Sequence, residues 1–309
     1  MQNRRDFLKK SGTLALAGLA LPGWAETRIT SAFPQRMGVQ LYTTMSVIDQ
    51  DVMGTLKQIA DIGYKDIESA FSMKGGYYGM KPKAFAAVIN DLGMTWQAHH
   101  VGAVPFRRPA AAPVATQDTT KVAQRPAMPI MKSLLNDTQQ IMDEAAEGGL
   151  KYVVCASTPL KTMDEIKTSL EILNKAGETA KKAGLTFVYH NHTAEFEKVE
   201  GVLPFDMIAT QISSDLLKFE LDLAWATKAG VDIPALFNNH GGRFPLFHVK
   251  DLNKATQKPV EVGEGYVDFR KIFDASVLSG VKHLFVEQDQ APSPVENLST
   301  SFKNLKKLL

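Results

Sequence analysis

Eight strand-like segments separated by helical ones predict an α/β chain folded as a (β/α)8 barrel. Three observations carry that expectation. Short runs rich in β-branched and aromatic residues recur between segments of helical period from Arg36 to the C-terminus. Most of the early helical segments stop on glycine, at Gly63, Gly93, Gly148-Gly149 and Gly184. The rival, a doubly wound open sheet, calls for a glycine-rich phosphate loop after an early strand, and the sequence has no G-x-G-x-x-G or Walker A pattern.

In order, the expected strands and helices alternate as follows. Met37 to Tyr42 is the first strand, followed by a helix from Val52 to Ile62. Lys65 to Glu68 and the helix Lys83 to Leu92 form the second pair. Met94 to His100 is the third strand. A Pro/Ala-rich stretch at about 101–130 has neither strand nor helix period, and is expected to be a loop inserted over the barrel mouth. The alternation resumes with helix 137–147, strand Lys151 to Ala156 and helix Asp164 to Ala183. Leu185 opens a fifth strand that ends in His190-Asn191-His192, and a short helix follows at Phe205 to Ile212. Lys218 to Asp222, Ile233 to Asn238, Phe244 to Val249 and Asp268 to Leu278 are strand, helix, strand and helix. Lys282 to Glu287 and a final helix, Pro294 to Leu308, complete a single domain over 36–309.

Composition narrows the function. A hydrophobic content of 44% with 22% charged residues is ordinary for a globular enzyme, and a formal net charge of +2 argues against a nucleic-acid partner. The single cysteine, Cys155, lies in the apolar run Tyr152-Val-Val-Cys-Ala and reads as a small buried hydrophobe. At the N-terminus, Asn3-Arg-Arg-Asp-Phe-Leu-Lys9 precedes an apolar stretch from Leu14 to Leu21 and Pro22-Gly-Trp-Ala25. That arrangement resembles a twin-arginine (Tat) signal peptide over residues 1–25, and the apolar part is too short to span a membrane. The resemblance implies export, already folded, by the Tat machinery to a bacterial periplasm, with a mature protein that is not membrane-embedded.

Barrel chemistry gathers at the C-terminal ends of the strands. The residues expected there are Glu68, His99, His100, His190, Asn191, His192, Asp222, His248, Lys250, Asp251, Glu287 and Asp289. Five of the seven histidines fall on this rim. Any one of them reads as a structural hydrogen-bonding residue, but so many ionisable groups are costly to desolvate together without a bound cation. Mixed His, Asp and Glu donors with no thiolate suit one divalent ion such as Mn, Co, Zn or Mg. Such an ion polarises a sugar hydroxyl and carbonyl while a neighbouring C–H loses its proton. Side chains alternate along a strand, so Lys250 shares the inward face of His248 and is a substrate anchor or acid, while Asp251 points away. Glu68 and His100 are expected to contact substrate or to stand behind the metal ligands, Asn191 to contact substrate, and Trp225 to stack on a sugar face or pack against its loop.

Leu-Asp222-Leu-Ala-Trp, His248-Val-Lys-Asp251, Val-Gly263-Glu-Gly-Tyr-Val-Asp-Phe269 and Val-Glu287 resemble the sugar phosphate isomerase/epimerase family of xylose isomerase-like TIM barrels. The resemblance runs from about Met37 to Leu309 and implies one divalent metal held by His190, Asp222, His248 and Glu287. It implies isomerisation or epimerisation of a carbohydrate, with Glu287 as base and His190 or His192 as its acid/base partner. The chain departs from the pattern where many relatives carry Glu-Asn-His at the end of strand five. An imidazole there halves the usual glutamate pair and opens an alternative, lyase or hydratase chemistry on a 3-keto sugar or glycoside. A barrel endonuclease is disfavoured by the charge balance, and a non-catalytic periplasmic sugar-binding protein by the titratable residues at the mouth. Oligomeric state is open.

Overall fold

The computed structural model describes residues 33–106 and 131–309. The Tat-like segment and most of the Pro/Ala-rich stretch lie outside these residues. Each inner strand has a side-chain period of two, and that period sorts its residues between two cores. The strands are β1 (Met37–Gln40), β2 (Asp66–Ser69), β3 (Thr95–Gly102), β4 (Tyr152–Ser157), β5 (Thr186–His190), β6 (Lys218–Asp222), β7 (Leu246–Val249) and β8 (His283–Val286). All are parallel to their neighbours, and β1 pairs with both β2 and β8, so the sheet closes into a barrel. Outward-facing Phe187, Tyr189, Phe219, Leu221, Phe247 and Leu284 pack beneath the helices in one large core. Inward-facing Ala98, Tyr152, Val154, Val188, Leu246 and Phe285 fill the barrel with a second, smaller one.

The helices are α1 (Val52–Ile62), α2 (Pro82–Asp91), α3 (Leu134–Glu147), α4 (Met163–Lys182), α5 (Pro204–Gln211), α6 (Leu223–Lys228), α7 (Ile233–Asn239), α8 (Phe269–Ala275) and α9 (Pro294–Leu308). Side-chain caps start several of them: Asp51 accepts from the Gly54 amide and Thr162 from that of Glu165. The sequence expects helix 137–147, and α3 begins three residues earlier because a first turn precedes the non-helical Asp137 (φ −126°). The first strand stops at Gln40, where a 3-10 turn, Leu41–Thr44, replaces its expected end. Helix α6 is unexpected from sequence; it is six residues long and is capped by Asp222, whose Oδ1 accepts from the Trp225 amide at 2.8 Å.

After β7 the chain forms a short antiparallel ribbon, Asp251–Leu252 with Pro259–Val260. Asp251 organises this segment. Its Oδ1 accepts from the Leu252 and Val267 amides, and its Oδ2 from those of Gly263 and Gly265. The glycines have a physical reason: Gly263 adopts φ +87°, and a Cβ at Gly265 would run into the Asp251 carboxylate. Asp251 thus anchors the loop outside the barrel while its neighbour Lys250 is directed within.

Candidate active site

Four apolar residues of the inner core are each followed, two positions later, by a donor on the same face. Ala98 leads to His100, Val188 to His190, Leu246 to His248 and Phe285 to Glu287. On β2 and β6 the inward positions are Glu68, Glu220 and Asp222, all fully buried. Strand register sets who meets whom: His190 is aligned with Glu220, and Asp222 with His248.

The donors converge in two overlapping groups. The first is His100, His190, Glu220 and His248; the second is Asp222, His248 and Glu287. In the first, Glu220 Oε2 lies 2.8 Å from His100 Nε2 and 3.1 Å from both His190 Nδ1 and His248 Nε2. Glu68 Oε2 reaches His248 Nε2 at 2.5 Å, and its Oε1 lies 3.3 Å from His100 Nε2. In the second, His248 Nδ1 lies 3.0 Å from Glu287 Oε2. The Lys250 ammonium, 1% exposed, enters this group from above, 2.7 Å from Glu287 Oε2, 3.2 Å from Asp222 Oδ2 and 2.9 Å from Asp289 Oδ2.

Burial and charge pull these groups in different directions. Burial depresses His190, and the neighbouring His248, His192 and His100 hold it well below the usual imidazole value. Burial also disfavours charge on His100 and His248, but nearby glutamates overcome it: Glu68 and Glu220 raise His100 to about 9, and Glu220, Glu287 and Glu68 raise His248 well above its ordinary value. Lys250 is likewise raised, against burial, by Asp222, Glu287 and Asp289. Burial lifts Asp222 to about 6 in spite of Lys250 and His248. For Glu287 the opposite balance holds, and Lys250 and His248 outweigh burial to keep it well below the carboxylate range.

These residues fit a divalent cation. Among the described residues, Glu68 Oε1, Glu220 Oε1 and Asp222 Oδ2 are buried oxygens with no hydrogen-bond partner, an arrangement costly without a cation nearby. Asp222 Oδ2 is within ion-pair reach of Lys250 but is not hydrogen-bonded to it.

Above the cluster opens a cavity of about 1090 Å³ whose wall includes His100, His190, His192, Trp225, Lys250, Glu287 and Asp289. Tyr42, Phe71 and Tyr77 add aromatic surface. The Trp225 ring is flanked by the ammonium groups of Lys228 at 5.0 Å and Lys250 at 5.1 Å from its centroid.

The sequence model of the family described as xylose isomerase-like TIM barrel matches residues 56–308. The chain belongs to that family. Among xylose isomerase-like barrels of known structure, it is similar to a sugar phosphate isomerase/epimerase from Parabacteroides distasonis ATCC 8503. The two are 26% identical, with a TM-score of 0.68 and coverage of 88% of this chain and 98% of that one. The IolI protein, crystallised with a bound zinc atom, superposes with a TM-score of 0.63 at 17% identity over 88% of this chain and 97% of that one, a likeness of fold alone. In sequence, the chain is 24% identical to an inosose dehydratase from Lacticaseibacillus casei over 182 residues. That match spans 53% of this chain and 60% of the relative's length.

The structure distributes the expected site residues between the cluster and the cavity wall. Of the four expected metal donors, Asp222, His248 and Glu287 fall in one group and His190 joins His248 in the other. Asn191, expected to touch substrate, does not line the cavity, and Glu68 takes the other of its two expected places, behind the ligand-type side chains. Glu68 is sealed beneath His100 and His248, whereas Asn191 Oδ1 accepts from the Asp222 amide at 3.0 Å and ties the end of β5 to β6. His100, His192, Trp225, Lys250 and Glu287 do line it. Glu220 was missed, although its signal was present: two residues before Asp222 on one strand, it shares the inward face.

Proposed function

We propose that the protein removes a proton next to the carbonyl of a keto carbohydrate and completes the reaction by β-elimination, as a lyase on the xylose isomerase-like scaffold. The observation that supports this best is the buried Lys250 ammonium, fixed among Asp222, Glu287 and Asp289 where the wall of the cavity meets the cluster. A permanently charged donor at that point stabilises the enolate oxygen that forms as the proton leaves, because it is already desolvated and oriented. His192 is exposed to the cavity and faces His190 edge-on at a centroid distance of 4.8 Å. Its recessed position and the nearby Lys250 charge hold its imidazole down, to about 4, so it stands as a neutral ring on the cavity wall. Trp225 offers a face for the sugar ring.

A divalent ion held by the converging His and carboxylate donors would supply Lewis-acid polarisation of the carbonyl. Elimination is favoured over proton exchange between two faces because imidazoles, His190 and His192, stand where a second glutamate would complete an epimerase pair. Likeness to inosose dehydratase supports the same choice. Isomerisation or epimerisation is the second reading, supported by the likeness to a sugar phosphate isomerase/epimerase and by two acid/base groups, Glu287 and His192, on one cavity. The N-terminal segment supports export through the Tat machinery to the periplasm, where an unphosphorylated substrate is expected.

The test is incubation of keto-cyclitols, 3-keto glycosides and ketoses in D2O with Mn, Co, Zn or Mg. Elimination yields a conjugated enone and a released β-substituent; epimerisation yields a deuterated stereoisomer. Neither product from any substrate would overturn both readings. Full activity in Glu287→Gln would remove Glu287 from the chemistry.

A further inference from the structure

We propose that the β2–β3 side of the cavity is a second subsite, apolar and aromatic, and that it holds the aryl aglycone of a keto glycoside as the leaving group. This rests on the reading of the protein as a keto-carbohydrate lyase and names the class of group that it expels.

The cavity is larger than one sugar ring needs, and its two ends are unlike. A hexose has about twelve non-hydrogen atoms; even at the ~30 Å³ that a water molecule claims in the liquid, it fills only about a third of the 1090 Å³. Lys250 follows β7 directly, and Trp225 lies on α6, just after β6. Strands β2 and β3 stand four places around the closed barrel from β6 and β7, across the mouth from them. On that side the wall is made by Phe71, Val104, Phe106 and Ile141, with Tyr42 beside them after β1. Phe106 is 56% exposed and Phe71 half-buried, so their rings offer accessible apolar surface.

The polar groups on this side are committed to one another. Lys132 Nζ donates to both oxygens of Glu144, at 2.6 and 2.5 Å, and Gln140 Nε2 and Tyr77 Oη donate to the same carboxylate at 2.9 and 3.2 Å. Those four bonds use up its acceptor directions, and the Lys132 charge cancels its own. Trp96 Nε1 donates to Ser69 Oγ at 2.8 Å, and the single hydroxyl hydrogen of Ser69 is directed to His99 Nδ1, also at 2.8 Å. This end therefore offers rings and no uncommitted carboxylic acid. In the elimination, the C2–H bond beside the C3 carbonyl breaks and its proton goes to the base of the cluster. The electron pair forms C1=C2, and the C1–O bond to the aglycone breaks; the released oxyanion takes up one proton, so no oxidant and no water is consumed. An alkoxide leaves poorly without an acid to protonate it. A phenolate, whose conjugate acid has a pKa near 10 like that of tyrosine, leaves with little help, so a wall of this character suits an aryl group.

The experiment measures equilibrium binding of 4-nitrophenyl and methyl glucosides, which lack the carbonyl and cannot eliminate, beside turnover of their 3-keto forms, with Mn, Co, Zn or Mg present. The aryl glucoside is expected to bind roughly tenfold tighter than the methyl one, and its 3-keto form to release nitrophenol with a kcat/KM roughly tenfold higher. Phe71→Ala should cut the aryl preference in binding about fivefold, and Phe106→Ala, at an exposed position where folding is not at risk, about twofold. Equal binding of the two glucosides, or a preference unchanged in both variants, overturns the subsite and leaves the lyase reading to the turnover data. An aryl preference in binding with no elimination from either 3-keto form overturns the lyase reading, and with it the aglycone's part as leaving group, while the aryl subsite stands. Should Phe71→Ala fail to fold, the wild-type binding ratio and Phe106→Ala decide.

Discussion

The two mouths of the barrel bury carboxylates from the same strand and treat them in opposite ways. Asp66 and Glu68 lie two residues apart on β2 and share its inward face. At the lower mouth both oxygens of Asp66 are satisfied: Arg36 and Gln97 donate to Oδ1 at 2.7 and 3.1 Å, and His283 Nδ1 lies 3.0 Å from Oδ2. Burial alone would raise its pKa, but His283, Arg36 and Gln97 together lower it to about 2. At the upper mouth Glu68, Glu220 and Asp222 each keep one orphaned oxygen, and Lys250 serves three carboxylates at once. The lower mouth is finished as a structural ion pair. The upper mouth has polar capacity left over, which marks a place built to receive something else.

That contrast can be broken most forcefully at Lys250. Lys250→Met leaves Asp222, Glu287 and Asp289 without their ammonium, and is expected to abolish turnover and cost about 3–5 kcal/mol at pH 7. Part of that loss returns on acidification, because Asp222, which burial already raises to about 6 in the wild type, loses the lowering charge of Lys250 in the variant and protonates more readily still. Urea unfolding at pH 7 and pH 5 measures both; a loss below about 1 kcal/mol would mean that the upper mouth carries no such strain.

Asp66→Asn probes the lower mouth, and the expectation reverses. Turnover stays within twofold of wild type, while stability at pH 7 falls by on the order of 2 kcal/mol. The sign follows from the lowered pKa. Ionised Asp66 stabilises the fold above its unfolded value of 3.8, and that contribution is lost as pH falls toward 2. Wild type and variant should therefore converge in stability across that window, and parallel curves would show that Asp66 is not the group responsible. The smallest effect is expected at the cavity wall. Trp225→Phe keeps an aromatic face but removes an indole N–H that has no partner, so KM should rise roughly threefold with stability unchanged within about 0.5 kcal/mol.

Much of the fold was legible in the sequence. Alternation placed His190, Asp222, His248, Lys250 and Glu287 at strand ends, and the opposite orientation of Lys250 and Asp251 is reproduced by the bonds each makes. The structural character of Cys155 was legible too; it is fully buried, and burial pushes its thiol up to about 12. His283 gave no signal, because its partner Asp66 is 217 residues away and the pair exists only where β8 and β2 both flank β1. Helix α6 was missed because six residues carry too little periodicity to be read.

What the sequence determined by itself was the barrel and the inward face of each strand, since a period of two is a local property of extended chain. What only the tertiary structure decided was which inward residues become neighbours. Closing a barrel tilts and staggers the strands, so residues at equal distances from their strand ends do not meet. The stagger brings His190 beside Glu220 and Asp222 beside His248. For that reason donors spread one or two to a strand along the chain meet in space as overlapping sets, with His248 common to both.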